Sequence, residues 1–378
     1  MPDGGKGSMR PEEMREVLGR KGLVAPRILT LSITGTCNLF CRHCWVEAGP
    51  DGSVPALSGE TIDRLLSEFA FLGGEGVRFT GGEPLCHPAL PGRMALARRL
   101  GLSPVVLQTN GTLLVDEAVS ALAALDFPGL VIQISLDGAR AATHDRVRGE
   151  GAFELAMEGI HRLVAAGLAS RVVLAFTEMQ HNLEEFPLLL ELAESLGIGS
   201  VVAGTLVTGG RAAADHSGPV AAATPAQYLL LVDRFETDLR FRQLYRKLGN
   251  LAALEWWEGK SAGRNCCRFV EQPYLTPAGF LYPCLLCHSA SFAVSGVLDK
   301  ALTDAFAEGA PLWATLQDVC RSREATLAAC QTCLERSDCA AGCPGRALGS
   351  HGSLLATDDR CALRQAIGRR RRSDPGNP

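Results

Sequence analysis

The chain has 378 residues, of which 47% are hydrophobic, and a formal net charge of −4 at pH 7. This length allows roughly two to three domains with a sizeable core, and the weak negative charge provides no basic footprint for nucleic acid. The start of the chain lacks the apolar segment of a signal peptide, and no run approaches the ~20 apolar residues of a membrane span. We therefore expect a cytoplasmic protein without membrane contact, in which the 14 cysteines serve metal ligation rather than disulfides.

From about residue 27 to 210, strand-like runs alternate with amphipathic helical patterns. The clearest helix follows Ser58, a good N-cap, and presents Ile62, Leu65, Leu66 and Phe69 on one face. The strand-like runs lie near Leu29–Ile33, Val77–Thr80, Pro104–Gln108, Val131–Leu136, Val172–Phe176 and Ser200–Leu206. This alternation predicts βαβ units on a parallel sheet, as either an open doubly wound sheet or a partial barrel. In both architectures the binding groups gather at the carboxyl ends of the strands.

Three cysteines follow the first strand, Cys37, Cys41 and Cys44, in the spacing C-x3-C-x2-C with no fourth cysteine before Cys86. A [4Fe–4S] cluster normally takes four thiolates, so three from one loop would leave one iron open. An open coordination position distinguishes reactive zinc sites from structural ones, and we extend that rule to iron by analogy. The spacing alone is also compatible with a zinc loop or a chance cluster.

Further polar motifs end the next strands. Gly81 and Gly82, followed by Glu83 and Pro84, allow close backbone approach to a ligand, although a tight turn would have the same composition. Asn110 lies in a Thr-Asn-Gly turn, which is an ordinary turn pair by itself. Ser135 ends the fourth strand, and downstream Arg148, or alternatively Arg146, offers a guanidinium suited to a carboxylate.

The region after Leu206 changes in character. Thr224-Pro225 opens a helix with proline at its first position, and beyond Cys266 short strands, proline and glycine dominate. Ten cysteines lie there, so we expect a second domain held by metal rather than by a large core. Their order is Cys267-x11-Gly279-x4-Cys284, then Cys330-x2-Cys333-x5-Cys339-x3-Cys343, then Cys361. Structural zinc is the alternative for these pairs, and Cys320 is expected to be buried on a helix.

The first cysteine run and the GGEP motif together resemble the radical S-adenosylmethionine (SAM) enzymes, and the later array resembles their SPASM auxiliary-cluster domain. This resemblance implies an α/β fold, a partial (βα)6 TIM-type barrel followed by a small cysteine-rich α+β domain. The implied organisation is a flexible segment over 1–26, the barrel over 27–210, a linker with bridging helices over 211–262, the SPASM domain over 263–365 and a disordered basic tail over 366–378.

The resemblance also implies the ligand sets. Cys37, Cys41 and Cys44 would hold a [4Fe–4S] cluster whose open iron binds SAM, and the residues near SAM would be Gly81, Gly82, Glu83, Pro84, Asn110, Ser135 and Arg148. One auxiliary iron–sulfur cluster would use Cys330, Cys333, Cys339 and Cys361. A second would use Cys267, Cys284 and Cys343, with Cys266, Cys287 or an open site in fourth place. No catalytic acid or base is assigned.

The implied activity is that of an oxidoreductase that reductively cleaves SAM to a 5′-deoxyadenosyl radical and abstracts hydrogen from a ribosomal peptide or a protein. The product would be a crosslink, an epimerised residue or an oxidised side chain. The implied partners are an electron donor such as flavodoxin or ferredoxin and a separate leader-peptide-binding protein. A tetrapyrrole-modifying radical SAM enzyme is the alternative enzyme, and an iron–sulfur electron carrier or zinc scaffold is the alternative that is not an enzyme.

Overall fold

The computed structural model describes residues 8–52, 54–214, 220–260 and 267–373. At its centre is one sheet in which nine strands lie in the order β7-β6-β5-β4-β3-β2-β1-β8-β9. The strands are β1 (Ile28–Ser32), β2 (Gly76–Thr80), β3 (Val105–Thr109), β4 (Leu130–Ser135), β5 (Val172–Glu178), β6 (Ser200–Thr205), β7 (Gly249–Asn250), β8 (Tyr274–Leu275) and β9 (Leu281–Tyr282).

The first six strands form an opened barrel. Each of them pairs in parallel with the next strand along the chain, from β1 to β6. The order contains no point of reversal, which a doubly wound sheet requires. The parallel α/β fold and its partial barrel are therefore confirmed, and all six predicted strands are present within one or two residues of their expected ends.

Helices cover the outer face of the barrel and make most of the C-terminal region. They are α1 (Pro11–Arg20), α2 (Gly59–Phe71), α3 (Leu90–Arg99), α4 (Asp116–Leu125), α5 (Ala141–Arg148), α6 (Ala152–Ala165), α7 (Phe186–Ser195), α8 (Arg211–Ala214), α9 (Pro225–Thr237), α10 (Leu239–Leu248), α11 (Ala252–Trp257), α12 (Leu302–Thr326), α13 (Ala328–Gln331), α14 (Arg336–Cys339), α15 (Pro344–His351) and α16 (Cys361–Ser373). In the described ranges, none of these helices combines the length and the apolar character needed to cross a bilayer.

Local sequence sets the ends of the predicted helices. Ser58 caps α2 by accepting a hydrogen bond from the Thr61 N–H (3.1 Å), and Gly73 adopts the left-handed conformation (φ 87°) just after the helix ends. Thr224 forms a capping box with Gln227 at the start of α9. Both helix starts were expected from the sequence, and the structure has them.

The C-terminal region continues the barrel sheet and shares its core. β8 pairs in parallel with β1, and β9 pairs antiparallel with β8. Phe306, Trp313 and Leu316 of α12 are fully buried in the same hydrophobic core as the barrel strands. The expectation that metal rather than a large core holds this region was wrong, because a 25-residue helix supplies large apolar side chains to the common core.

Both predicted loose ends contain helices. Within residues 1–26, which were expected to be flexible, α1 buries Met14 and Leu18 and packs against α12. In the expected disordered tail, 366–378, α16 continues to Ser373, and Arg370 of its basic run contacts Asp233 at 3.1 Å. In both helices a few apolar residues recur at the 3.6-residue period among many charges, so they form one apolar stripe that packs against the core. Residues 1–7 and 374–378 lie outside the described ranges.

Candidate functional site

A cavity of about 420 Å³ opens at the carboxyl ends of the barrel strands. The structure brings to its wall most of the residues that the sequence singled out: Cys37, Cys41, Cys44, Gly81, Gly82, Asn110, Ser135 and Arg148. Glu83 and Pro84 are buried behind this wall. The predicted residues therefore surround one site, although their roles toward a ligand stay predictions.

The cysteine loop leaves β1 and folds back on itself. The Cys37 N–H donates to the Gly49 carbonyl (2.9 Å), and the Arg42 N–H donates to the Val147 carbonyl (2.8 Å). Burial raises the pKa of the Cys37 thiol to about 12 and also raises the pKa of Cys41. Cluster binding must therefore release protons from these thiols.

Arg211, which lies in the segment expected to be a linker, also holds the cysteine loop by hydrogen bonds. Its Nε donates to the Cys41 carbonyl (2.8 Å) and its Nη2 to the Ala48 carbonyl (2.7 Å). The guanidinium carbon lies 3.9 Å from the centre of the Phe40 ring, a cation–π distance. The signal available in the sequence was its position just after the sixth strand, where binding groups of such a fold collect.

The two glycines of the GGEP motif are required by close packing. A Cβ at Gly82 would lie 2.2 Å from the Thr36 carbonyl oxygen, and one at Gly81, whose φ is 151°, would lie 2.4 Å from that of Thr34. The Gly82 N–H donates to the Thr34 carbonyl (2.7 Å) and the Glu83 N–H to the Thr36 carbonyl (2.9 Å). The motif thus supports the backbone that leads into Cys37.

Glu83 joins this motif to the next strand end. Its carboxylate accepts hydrogen bonds from the Thr109 hydroxyl (2.7 Å), the Asn110 N–H (2.7 Å) and the Leu85 N–H (3.0 Å). Complete burial outweighs these donors and raises the pKa of Glu83 to about 7. Asn110 in turn directs its Nδ2 to the Cys37 sulfur (3.8 Å) and to Asn38 Oδ1 (2.9 Å).

A buried charged group lies on the other side of the cysteine loop. The Arg148 Nε donates to Asp137 Oδ2 (2.6 Å), and His43 Nε2 lies 3.3 Å from the same oxygen. Burial alone would raise the pKa of Asp137, but the charge of Arg148 holds it well below its usual range. Burial lowers the pKa of His43 to about 4, so this imidazole is neutral at pH 7. Asp137, two residues after the end of β4, is the fixed counter-charge of Arg148.

The donor set of the cavity suits an iron–sulfur cluster. The three thiols of the cysteine loop line the cavity together with Gly81 and Gly82. The open iron of a cluster bound by these thiols would face the cavity. In the described ranges, no three Cys, His, Asp or Glu side chains are arranged to hold a single metal ion.

The C-terminal region completes the wall of the cavity. Tyr274 and Leu285 line it, and the Tyr274 ring lies 5.8 Å from that of Trp45, the residue after Cys44. A smaller cavity of about 160 Å³ adjoins it and shares the lining residues Trp45, Val207 and Leu285. The sequence contains no signal for this aromatic contact, because only the pairing of β8 with β1 brings the two segments together.

Four of the later cysteines gather around α14 and α16: Cys330, Cys333, Cys339 and Cys361. The Arg364 Nη1 donates to the Cys339 sulfur (3.4 Å), and the Gln365 Nε2 lies 3.9 Å from the Cys333 sulfur and 3.8 Å from that of Cys361. Donors of this kind stabilise cluster thiolates. The grouping is the one that the resemblance implied.

The remaining later cysteines meet between α12 and the start of α15. The Cys267 thiol contacts those of Cys320 and Cys343, and the Cys284 thiol contacts that of Cys287. Cys320 is buried on α12, as expected, but its contact with another thiol was not foreseen. Cys266 lies outside the described residues. None of the described cysteines forms a disulfide.

Comparisons with known proteins agree with these features. The model of the Radical SAM superfamily matches residues 31–193. An AdoMet-dependent heme synthase of Methanosarcina barkeri is 29% identical over 90% of this chain and 97% of its own length. The mycofactocin maturase MftC of Mycobacterium ulcerans is 30% identical over 85% of this chain and 84% of its own length.

A solved structure shares the fold over both regions of the chain. Streptococcus suis SuiB, in its complex with the precursor peptide SuiA, superposes with a TM-score of 0.70 at 14% identity and covers 93% of this chain and 80% of that one. This likeness extends past the barrel into the C-terminal region.

Proposed function

The chain belongs to the radical SAM superfamily, and from that premise we propose that it is a maturase that modifies a ribosomally made peptide or a protein side chain. The observation that carries the proposal is the 30% identity to a mycofactocin maturase over 84% of that protein. When bound, a [4Fe–4S] cluster and SAM supply the 5′-deoxyadenosyl radical that removes a hydrogen atom from the substrate. The chain itself binds, orients and shields these groups.

Cys37, Cys41 and Cys44 would hold the cluster, and the neighbouring strand ends would hold SAM. The carboxylate of Glu83 already accepts three hydrogen bonds from the protein. Because that carboxylate lies behind the cavity wall, the ammonium group of SAM would meet the motif at the backbone of Gly81 and Gly82, which lines the cavity. Asn110, Ser135 and Arg148 line the cavity and would face the other polar groups of the nucleotide.

The peptide would enter between the barrel and the C-terminal region. The smaller cavity that adjoins the SAM site is lined by Gly209, whose missing side chain leaves this part of the cavity open. A Cβ at Gly209 would meet only Trp45 atoms at 3.9 Å, so Gly209→Leu fills this space without distorting the chain. We expect the variant to raise the KM for the peptide at least tenfold; an unchanged KM would exclude this entry route.

Two auxiliary iron–sulfur clusters would be held in the C-terminal region, one by Cys330, Cys333, Cys339 and Cys361 and the other by Cys267, Cys284, Cys343 and a fourth ligand. They would relay electrons or bind the substrate. A flavodoxin or ferredoxin would supply the electron that starts each turnover, and a separate protein would present the leader of the peptide. The hydrogen-bond donors that reach the thiols around α16 support the first of these ligand sets.

The principal experiment measures 5′-deoxyadenosine after anaerobic reconstitution with iron, sulfide and dithionite. We expect wild-type protein to form it from SAM, and Cys37→Ala, Cys41→Ala and Cys44→Ala each to abolish it while auxiliary iron remains. Cys86→Ala, outside the triad, is the matched control and should retain cleavage. Cleavage retained by any triad variant would contradict the assignment. Mass spectrometry of short peptides coexpressed with the chain then tests the substrate class.

A tetrapyrrole substrate is the second candidate, because the heme synthase of M. barkeri matches over 97% of its length. Tetrapyrrole carboxylates call for several cationic partners. Among the described residues that line the SAM cavity, the arginines are Arg148 and Arg211, and both already donate to protein oxygens. This favours a peptide. Absorbance titration with an iron porphyrin carboxylate tests the alternative: tight binding, with no mass change in any coexpressed peptide, would establish it.

A further inference from the structure

We infer that Cys320 is an iron ligand and supplies the fourth thiolate of the auxiliary cluster held by Cys267, Cys284 and Cys343. The inference rests on the proposed function only in assuming that this cluster exists. The cysteine patterns singled out in the sequence do not include Cys320, which lies between them on α12 and reads as an ordinary buried helix residue.

The long helix α12 places Cys320 against the thiols of the site. Trp313, Leu316 and Cys320 follow one another at steps of three and four residues and are all buried, so they share one face of the helix. The Cys320 sulfur accepts a hydrogen bond from the Cys267 N–H (3.2 Å). The Cys267 thiol contacts both the Cys320 and the Cys343 thiols. Three segments far apart in sequence thus bring three thiols together.

These three thiols line one cavity of about 430 Å³. Its charged lining is mostly cationic, with Lys260, Arg360 and Arg364 against one acidic residue, Glu255. A cluster bound by four thiolates is an anion, and thiols lose their protons when they bind iron. A cationic wall stabilises that charge, whereas a cysteine that only fills a core needs no such neighbours.

The competing ligands fit less well. Cys287 has no exposed surface, whereas Cys320 keeps 6% and lines the cavity beside Cys267 and Cys343. Cys284 and Cys287 both lie behind that lining, and their thiols contact each other across only three residues. The Cys284 thiol is also close enough to interact with that of Cys343. Cys339 also lines the cavity, but its sulfur accepts a hydrogen bond from Arg364 (3.4 Å) and lies in the group with Cys330, Cys333 and Cys361. Cys320 therefore fills the place that the implied ligand set left open.

The test uses the full chain carrying Cys37→Ala, Cys41→Ala and Cys44→Ala, so that only auxiliary clusters contribute. In this background we expect Cys320→Ala to lose the iron and acid-labile sulfide of one cluster, roughly half of the total for two cubane clusters. Cys287→Ala, the matched control, should keep the full content. Iron and sulfide that stay unchanged in Cys320→Ala, or zinc in place of iron in the parent, would overturn the inference.

A second variant covers a failure of Cys320→Ala to fold, judged by circular dichroism. Cys320→Ser keeps the side-chain size and replaces the thiolate with a hydroxyl. We expect it to change the electron paramagnetic resonance spectrum of the reduced auxiliary clusters; a spectrum identical to that of the parent would overturn the inference. Because neither measurement involves SAM or peptide, a failed proposal of function and a failed ligand assignment remain distinguishable.

Discussion

Substitution of Gly82 by alanine tests whether the GGEP motif supports the cysteine loop as the structure shows. The added Cβ would lie 2.2 Å from the Thr36 carbonyl oxygen and 2.8 Å from that of Gly35. Both obstacles are backbone atoms, so no side-chain rotation relieves the clash. Ordinary contact begins at 3.4 Å, so the motif and the loop must separate by about 1.2 Å. Thr36 precedes Cys37, so the displacement reaches the first cluster ligand.

The cost follows from that displacement. Overpacking of a tight interior typically costs about 1–3 kcal/mol, and a clash with backbone atoms belongs at the upper end of this range. At ~3 kcal/mol a unit of about 150–250 residues would lose roughly 6–12 °C in melting temperature. Because the barrel and the C-terminal region share one core, we expect a fall at or below the lower end of this range. A shift of about 1 Å in a reacting geometry costs on the order of a hundredfold in rate, and we expect a similar loss in SAM cleavage.

Thermal denaturation without SAM and 5′-deoxyadenosine formation are the two measurements for Gly82→Ala. The matched control is Gly92→Ala on α3, where nothing lies within 4 Å of the added Cβ. That control should be neutral or about 0.5–1 kcal/mol more stable, with full activity. A Gly82→Ala protein with the melting temperature and SAM cleavage of the wild type would refute the proposed support of the loop.

Three further changes probe the rest of the site. Burial raises the pKa of Glu83 to about 7, above its unfolded value of about 4.3, so its contribution to stability is full at low pH and is lost as pH rises through 7. Relative to Glu83→Gln, the unfolding free energy from urea titration should therefore fall by about 3 kcal/mol between pH 4.5 and 7.5; a constant difference would contradict this. Arg148→Leu leaves the buried Asp137 carboxylate without its cation and should lower the free energy of unfolding by about 3–5 kcal/mol even without SAM. The control Arg140→Leu breaks an exposed ion pair and should lower it by less than ~1 kcal/mol. Equal losses in the two variants would contradict the role of Arg148. Arg211→Met removes the hydrogen bonds to the cysteine loop and should speed the release of iron to a chelator several-fold. The control is Arg99→Met, at an exposed position of α3. Equal rates of iron release would count against a role of Arg211 in holding the loop.

The sequence was sufficient for the strands and helices of the barrel, because each strand of a parallel sheet is an apolar run and each helix has one apolar face. The choice of a partial barrel over an open sheet came from the family resemblance. The six strands and the cap at Ser58 could be placed on local pattern alone. The termini could not, since α1 and α16 are mostly charged and become helical through packing: Met14 and Leu18 are buried in the core they share with α12. Periodicity in a short, charged segment does not reveal such a partner.

Site residues at strand ends could be named in advance because parallel strands align their carboxyl ends. What the motifs did not reveal was which contacts each residue makes. Asp137 forms an ion pair with Arg148, and Arg211 donates a hydrogen bond to the Cys41 carbonyl. Each interaction joins segments that follow different strands. Cys320 was missed because a buried helical cysteine has no sequence signature, and only the fold shows that it faces another thiol.

The pairing of β8 with β1 has a consequence for dissecting this protein. Thr30 and Leu31 lie opposite Tyr274 and Leu275, so the strand that leads into the cysteine loop is an interior strand only while the second half of the chain is attached. A fragment ending before Tyr274 would present an unprotected, apolar sheet margin, which recruits other chains. We expect such a fragment to collect in inclusion bodies, and production of the two halves as separate soluble pieces to fail.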